Sequence, residues 1–445
     1  MNGSDRVIQF VQQANWQTLP SEVQHQSRRC LLDALGALIA GLQAPIAQIM
    51  AGLAVTGFGG DDATLLIDGR RVSAIGAAMA NGFAANALDL DDGHRLVKGH
   101  PGACLLPVLL AATEVQPAVS GREFLTALIV GYEVAIRAGL IRLALYAPMH
   151  SSGSWAGIGA AAAAGKLLGL DDHRLRHALG IAEHHAPVTP VMKAVDSPCM
   201  AKDGVGWGAM TGMAAVLMAQ QGFTGIEPLF SETPEPDWIE SVGKQFQLLR
   251  LYFKPYACCR WTQPAIAGAL TLKRQYGLDA NDILSIRVRT FGEAARLSRE
   301  HPLDTDSAQY NLAYPIAAAL IDGELGPRQA LPPRIFDPAI LRLADRVEAE
   351  VVDDYVRAFP AKTLADVEVR LRDGRVLEAR GQQAVWDWPD SSPSDADLER
   401  KFQALVGPIL GERTSELVEL IWRFDEATDA ARLIQLSRQL SGPSR

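Results

Sequence analysis

Residues 120–142, SGREFLTALIVGYEVAIRAGLIR, decide the kind of fold this chain adopts. Ser120 followed three positions later by Glu123 is a capping-box signature, in which hydroxyl and carboxylate each satisfy a backbone amide at a helix start. Helix follows helix from there. Met149 to Gly169 is alanine-rich and allows close helix contact, Asp171 to His184 opens with an acidic first turn, and Val205 to Gln221 is helical again. Working backwards, the segment from Pro20 carries Val23, Ser27, Leu31, Leu32, Leu35, Leu38 and Ile39 at intervals of three and four, one buried helical face that ends at Gly41. Ile46 to Gly57 reads as a shorter helix, and ATLLIDGRRV at 63–72 as a small hairpin around Asp68-Gly69.

The pattern changes near Gly277. Ile283 to Phe291 alternates branched apolar and basic residues as a half-buried strand does, and Asp366 to Ala379, DVEVRLRDGRVLEA, is the clearest hairpin in the chain. Asn311 to Asp322 and Ala339 to Val347 between them look helical. Pro389 to Ser394 is a linker, after which Asp395–Val406 and Thr414–Arg423 return to helix. The expected fold is therefore mainly α, with residues 1–274 and 396–445 forming an all-helical domain and 275–395 a smaller α+β domain.

Composition narrows the function. The 445 residues are 48% hydrophobic and 21% charged, with a formal net charge of −9, and the pI is near 5.6. An acidic chain disfavours nucleic acid and anionic membrane as partners. The Ala/Gly-rich run Trp155 to Leu170, broken by Lys166, is too weakly apolar for a membrane span, and the polar, helical N-terminus does not look like a signal peptide. The five cysteines, Cys30, Cys104, Cys199, Cys258 and Cys259, show neither CxxC nor Cys/His metal spacing, so a reducing cytosol is the expected compartment.

Chemistry concentrates at 81–102, NGFAANALDLDDGHRLVKGHPG, where three aspartates, two histidines, an arginine and a lysine lie on a loop between two apolar helices. One acid suffices to cap a helix, so the cluster as a whole points to a site even though each residue alone is equally well a cap or a surface group. Four other places join ionisable side chains to glycine or proline. His150 lies in YAPMHSSGS and suits proton transfer near neutral pH. Lys202 lies in MAKDGVGWG, where a helix start gives an ammonium no local benefit. Lys254 and Arg260 lie in FKPYACCRWTQ, the arginine suited to gripping a carboxylate, and Tyr314 ends SAQYNLAY. No GxSxG elbow, phosphate loop or helical zinc pair is present. Cationic and acid/base residues in an acidic chain fit a small polycarboxylate whose α-proton is removed, because the carbanion formed needs positive charge nearby.

The series NGFAANALDLDDGH…GHPG, MHSSGSWAGIGAAAAAGKLLGLD, MAKDGVGWGAMTG, YFKPYACCR and SAQYNLAY resembles the MmgE/PrpD family, in this order and across nearly the whole chain. That family includes 2-methylcitrate dehydratase, cis-aconitate decarboxylase and iminodisuccinate epimerase. The resemblance implies a large helical domain built from both chain ends, an inserted α+β domain, a homodimer, and no metal or organic cofactor. It also implies an active-site set. Asp89 matches the first acid of the DxDD loop, His100 the histidine of the HP turn and His150 the histidine opening the alanine-rich helix, while Lys202 and Tyr314 match the family lysine and tyrosine. Two positions depart from the pattern. Gln263 replaces a histidine that usually follows the KPYxxCR string, and Gly93 replaces a hydroxyl residue. Gln263 is neither acid nor base, and His94 and Arg95 are placed to compensate.

The expectation is thus a cofactor-independent lyase resembling 2-methylcitrate dehydratase, acting on a small di- or tricarboxylate. His100, His150, Lys202 and Tyr314 are its expected acid/base groups, with Asp89, His94, Arg95, Lys254, Arg260 and Gln263 on the substrate side. An epimerase of the iminodisuccinate type is the alternative. From outside enzymology, Gln263 favours a metabolite-binding protein that lost its chemistry.

Overall fold

The computed structural model describes residues 2–116 and 118–439; Met1 and residues 440–445 of the expected helical segments lie outside them. The protein is mainly helical with small sheets. Gly121–Leu145 is its longest helix, and both halves of its capping box are present, with Ser120 Oγ accepting from Glu123 N at 3.3 Å and Glu123 Oε2 from Ser120 N at 2.8 Å. By length and composition this helix is apolar enough to cross a membrane, but its apolar window is buried throughout, which marks it as a core helix. The charges it carries are satisfied in place. Arg137 pairs with Glu133 and donates to the carbonyls of Trp238 at 2.7 Å and Gln245 at 2.8 Å.

Close packing around this helix comes from small residues. The helix Gly153–Leu167 lies against it and Val205–Gln220 against Gly153–Leu167 in turn, and a Cβ on Gly159 would stand 2.4 Å from Ala135 Cβ. Real Cβ atoms essentially never approach so closely, so the alanine- and glycine-rich sequence is what lets these backbones touch. Ser21–Gly41, Ala74–Asn86 and Gly102–Val115 complete the body. The C-terminal helices Asp395–Leu410 and Arg413–Trp422 pack back on it, and Phe424 meets Phe124 edge-on at 5.4 Å. Their apolar residues belong to one buried cluster with those from Val7 to Ala257.

A second buried cluster runs from Cys258 to Ala379 and includes Val195. Its centre is a four-stranded sheet ordered Val347–Val351, Ile283–Thr290, Leu364–Leu371, Val376–Gln383; the first pair is parallel and the others antiparallel. Gly374 takes a φ of +91° at the hairpin tip, a conformation that glycine adopts at least cost. The segment read as a helix from Ala339 to Val347 ends sooner: the helix is Pro338–Ala344, and Val347 starts a strand. Helix Gln263–Tyr276 contributes Ala265, Ile266, Ala269, Leu270 and Leu272 to this second cluster. The 63–72 hairpin forms, pairing Ala63–Thr64 with Arg71–Val72.

Candidate active site

Five separate stretches meet at one buried cleft: the 89–100 loop, the 191–203 segment, residues 252–261, Tyr310, and residues 359–363. Backbone strain gathers here. Asp89, Lys98 and Lys202 are non-glycine residues with φ of +52°, +51° and +40°, a conformation that persists only where the surroundings impose it and that clusters at functional sites.

At the inner end, Lys254 Nζ lies 2.5 Å from Asp89 Oδ1 and 3.8 Å from Asp91 Oδ1, all three residues being buried. Burial alone would raise the Asp89 carboxyl, but Lys254, Lys202 and His100 outweigh it and hold it well below the usual carboxylate range. Burial would likewise depress Lys254, and Asp89 and Asp91 override it, keeping the ammonium charged. Asn86 Nδ2 donates to both Asp91 oxygens, at 3.1 and 3.2 Å.

His100 is fixed from both sides. Its backbone N–H donates to Ser152 Oγ at 2.7 Å, and its Nδ1 lies 2.7 Å from the Asp92 carbonyl. A carbonyl only accepts, so Nδ1 carries a hydrogen and Nε2 is the nitrogen left to face the acids of the cleft. That nitrogen lies 3.6 Å from Asp89 Oδ1 and 3.7 Å from Asp203 Oδ2. The Tyr310 hydroxyl donates to Asp203 Oδ2 at 3.1 Å. Burial raises the Asp203 carboxyl, against the pull of His100. Behind His100, Asp92 accepts from the Tyr132 hydroxyl and, at 3.1 Å, from Gly102 N.

Lys202 stands beside this group, donating to the Asn86 carbonyl at 2.6 Å and to Gln309 Oε1 at 2.8 Å. Gln309 Nε2 in turn donates to the Ala87 carbonyl at 3.0 Å. At the outer end, Arg260 lies over the Tyr252 ring at 3.7 Å and pairs with Asp387, and Arg95 reaches the same acid at 3.6 Å.

Of the residues singled out in the sequence, Asp89, Arg95, His100 and Arg260 line the cleft, with Lys202 and Lys254 bonded behind its wall. Four do not line it. His150 sits against Pro190, next to the lining residue Val191, and its Nδ1 has no partner; burial, with Arg142 nearby, lowers its basicity. The Tyr314 hydroxyl donates to the Gln329 carbonyl at 2.6 Å. Gln263 is buried, its Nε2 donating to the Tyr256 carbonyl at 3.2 Å. His94 belongs to the short ladder with Leu251 and Tyr252, and neither ring nitrogen makes a well-formed hydrogen bond. Burial, then Arg250 and Arg95, push His94 down to about 3, so its ring stays neutral.

Sequence reasoning passed over Asp203, Tyr310, Lys98 and Asp387. The first two lie inside strings already quoted, AKDG and SAQYNLAY, and only their partners distinguish them from neighbours. Gly93 also finds its explanation: a Cβ there would stand 2.3 Å from the Tyr252 hydroxyl, so the tyrosine fills the space a side chain would use.

Asp89, His100 and Asp203 offer ligand atoms within 4.8 Å of one another, near enough to surround a metal ion. One oxygen of each acid is already engaged, Asp89 Oδ1 by the Lys254 ammonium and Asp203 Oδ2 by the Tyr310 hydroxyl.

The protein is thus a mainly helical one whose cleft has buried acid/base groups at one end and guanidinium groups at the other. The MmgE/PrpD N-terminal domain matches residues 5–245 and the MmgE/PrpD C-terminal domain residues 256–424, and the chain belongs to the MmgE/PrpD family. It is 27% identical to the cis-aconitate decarboxylase of Homo sapiens, over 96% of this chain and 92% of that one. A cis-aconitate decarboxylase-like protein, oryM, of Aspergillus oryzae is 26% identical over 95% of both chains, and the cis-aconitate decarboxylase of Aspergillus terreus 25% identical over 94% and 92%.

Proposed function

We propose that the protein is a lyase that moves a proton at a carbon next to a carboxylate of a small di- or tricarboxylic acid, without a resident cofactor. The relatives support the class, since those compared are decarboxylases or decarboxylase-like. One observation carries the reading: His100 Nε2 is a fixed basic nitrogen on the wall of a buried cleft that also presents Arg260 and Arg95. An imidazole held by Nδ1 takes or returns a proton through its other nitrogen. Guanidinium groups hold the substrate carboxylate in a setting of reduced dielectric, where they also stabilise the charge that develops on the adjoining carbon. Lys254 keeps Asp89 ionised, and that carboxylate stabilises His100 when it becomes imidazolium. The Tyr310 hydroxyl and Asp203 form a second proton-carrying pair on the same wall.

The cleft as it stands encloses about 40 Å³, space for a few waters. A di- or tricarboxylic acid is larger than that, so on this proposal the lining yields to admit it.

The test is a panel of di- and tricarboxylic acids incubated with the protein in deuterated buffer and followed by proton NMR. A lyase gives a new product carrying deuterium at the former α-carbon or its neighbour. An epimerase gives exchange with no change of connectivity, and a metabolite-binding protein gives shifted thermal melting with neither. Absence of both turnover and exchange for every acid that binds defeats the proposal.

A further inference from the structure

Arg260 and Arg95 share a single resident carboxylate. Asp387 Oδ2 lies 2.5 Å from Arg260 Nη2 and 3.6 Å from Arg95 Nη1. Asp387 is 4% exposed and Arg260 7%. Within this buried group the hydrogen bonding is incomplete: Arg260 Nη1 has no acceptor, and Asp387 Oδ1 has no donor.

The acid is held where it is. Asp387 N donates to Ser391 Oγ at 3.1 Å, Ser391 N returns a bond to the Asp387 carbonyl at 2.8 Å, and the carbonyl of Trp386 accepts from Phe253 N at 3.1 Å. Trp386 itself takes a φ of +63°, so the chain is bent to deliver Asp387 to this point. The arginines are equally constrained, Arg260 by the Tyr252 ring and Arg95 by the Ala361 carbonyl at 2.8 Å.

Two guanidinium groups against one fixed carboxylate leave one positive charge and one unmet donor. A buried donor without an acceptor is unfavourable, so this end is completed by one further anionic oxygen group, and Asp387, bonded to the arginines though not itself lining the cleft, repels a second. At the inner end Lys254 and Lys202 already face three acids, Asp89, Asp91 and Asp203, so no cation is in surplus there. Lys98, half-buried on the same wall and in the field of Glu293, is left for a second carboxylate.

We propose that Asp387 is a specificity-determining residue that limits the arginine end of the cleft to one substrate carboxylate, so that dicarboxylates are accepted in preference to tricarboxylates. The inference rests on the carboxylate reading of this cleft and narrows its substrate class. Like-charge juxtaposition excludes the wrong ligand more effectively than attraction selects the right one.

Glutarate and propane-1,2,3-tricarboxylate differ by one carboxylate on the same backbone, and isothermal titration of the full chain with each gives the ratio directly. The unaltered protein is expected to bind glutarate about tenfold more tightly. Asp387→Asn removes the charge and keeps the shape, and should bring the two affinities within about threefold or reverse them. Equal affinities in the unaltered protein, or no binding of either acid, overturn the inference. So does a folded Asp387→Asn or Asp387→Ser variant whose ratio is unmoved. If neither variant folds, the ratio in the unaltered protein decides alone. The measurement is independent of turnover: a protein that shows the ratio but converts no acid loses the lyase reading and keeps this one.

Discussion

Lys254 and Asp89 meet at 2.5 Å with both side chains shut off from solvent, one from the 252–261 stretch and the other from the central loop. Removing one member of such a pair strands a buried charge. Lys254→Met is expected to lower stability by about 3–5 kcal/mol. Asp89→Asn/Lys254→Met should recover most of that loss while remaining inactive. Urea denaturation of the three proteins checks this, and a single variant within about 1 kcal/mol of the unaltered protein would show the pair to be solvated.

His100 and Tyr310 face the cleft, whereas Tyr314 spends its hydroxyl on the Gln329 carbonyl. His100→Gln should reduce kcat by about 100- to 10,000-fold with little change in melting temperature. Tyr310→Phe should lower activity clearly. Tyr314→Phe should cost about 1 kcal/mol of stability, the worth of one hydrogen bond, and leave kcat within a few-fold. Steady-state kinetics beside thermal melts decide the matter; a dead Tyr314→Phe with an active Tyr310→Phe would reverse the assignment.

Burial, with Asp33 and then Asp91 adding repulsion, pushes the Asp92 carboxyl up to about 8. The folded chain therefore keeps a proton that the unfolded chain, with a carboxyl near 3.9, has released. The stability this contributes is fully present below about pH 4 and is lost as pH rises through about 8, at up to about 1.4 kcal/mol per pH unit. Asp92→Asn lacks that dependence and retains an oxygen for Gly102 N. The melting temperature of Asp92→Asn relative to the unaltered protein should climb from pH 5 to 8 and then level. A difference independent of pH would place the Asp92 carboxyl in its ordinary range.

An ammonium and a hydroxyl each engage one oxygen of Asp89 and of Asp203, and on the cofactor-free proposal turnover should survive dialysis against a strong chelator. Activity lost to the chelator and restored by one divalent cation would assign the Asp89, His100 and Asp203 group to a metal instead.

Much of the helical body is legible because its signals are local. Ser120 and Glu123 cap a helix wherever they occur in this order, the spacing of Val23 to Ile39 makes one face apolar, and the alternation around Asp373-Gly374 makes a hairpin. The same logic fails at Val347, where five residues of strand are too few to outweigh the helix before them, and where pairing with Ile286 to Thr290 supplies the hydrogen bonds that local sequence cannot announce. Helix Gln263–Tyr276 is likewise visible as a helix, but which core takes its apolar face is not.

The sequence alone determined that the chain is mainly helical, that ionisable residues crowd at 81–102, and which family strings it resembles, since these depend on periodicity and residue type along the chain. Only the tertiary structure decided which of those residues meet. It set Lys254 on Asp89, turned Tyr314 and Gln263 toward backbone carbonyls, brought Tyr310 and Asp203 to the cleft and set Asp387 against its arginine. The reason is physical: a side chain acquires a partner, a charge state and a dielectric from whatever packs around it, 165 residues along the chain for Lys254 and Asp89, and neither spacing nor composition encodes that neighbour.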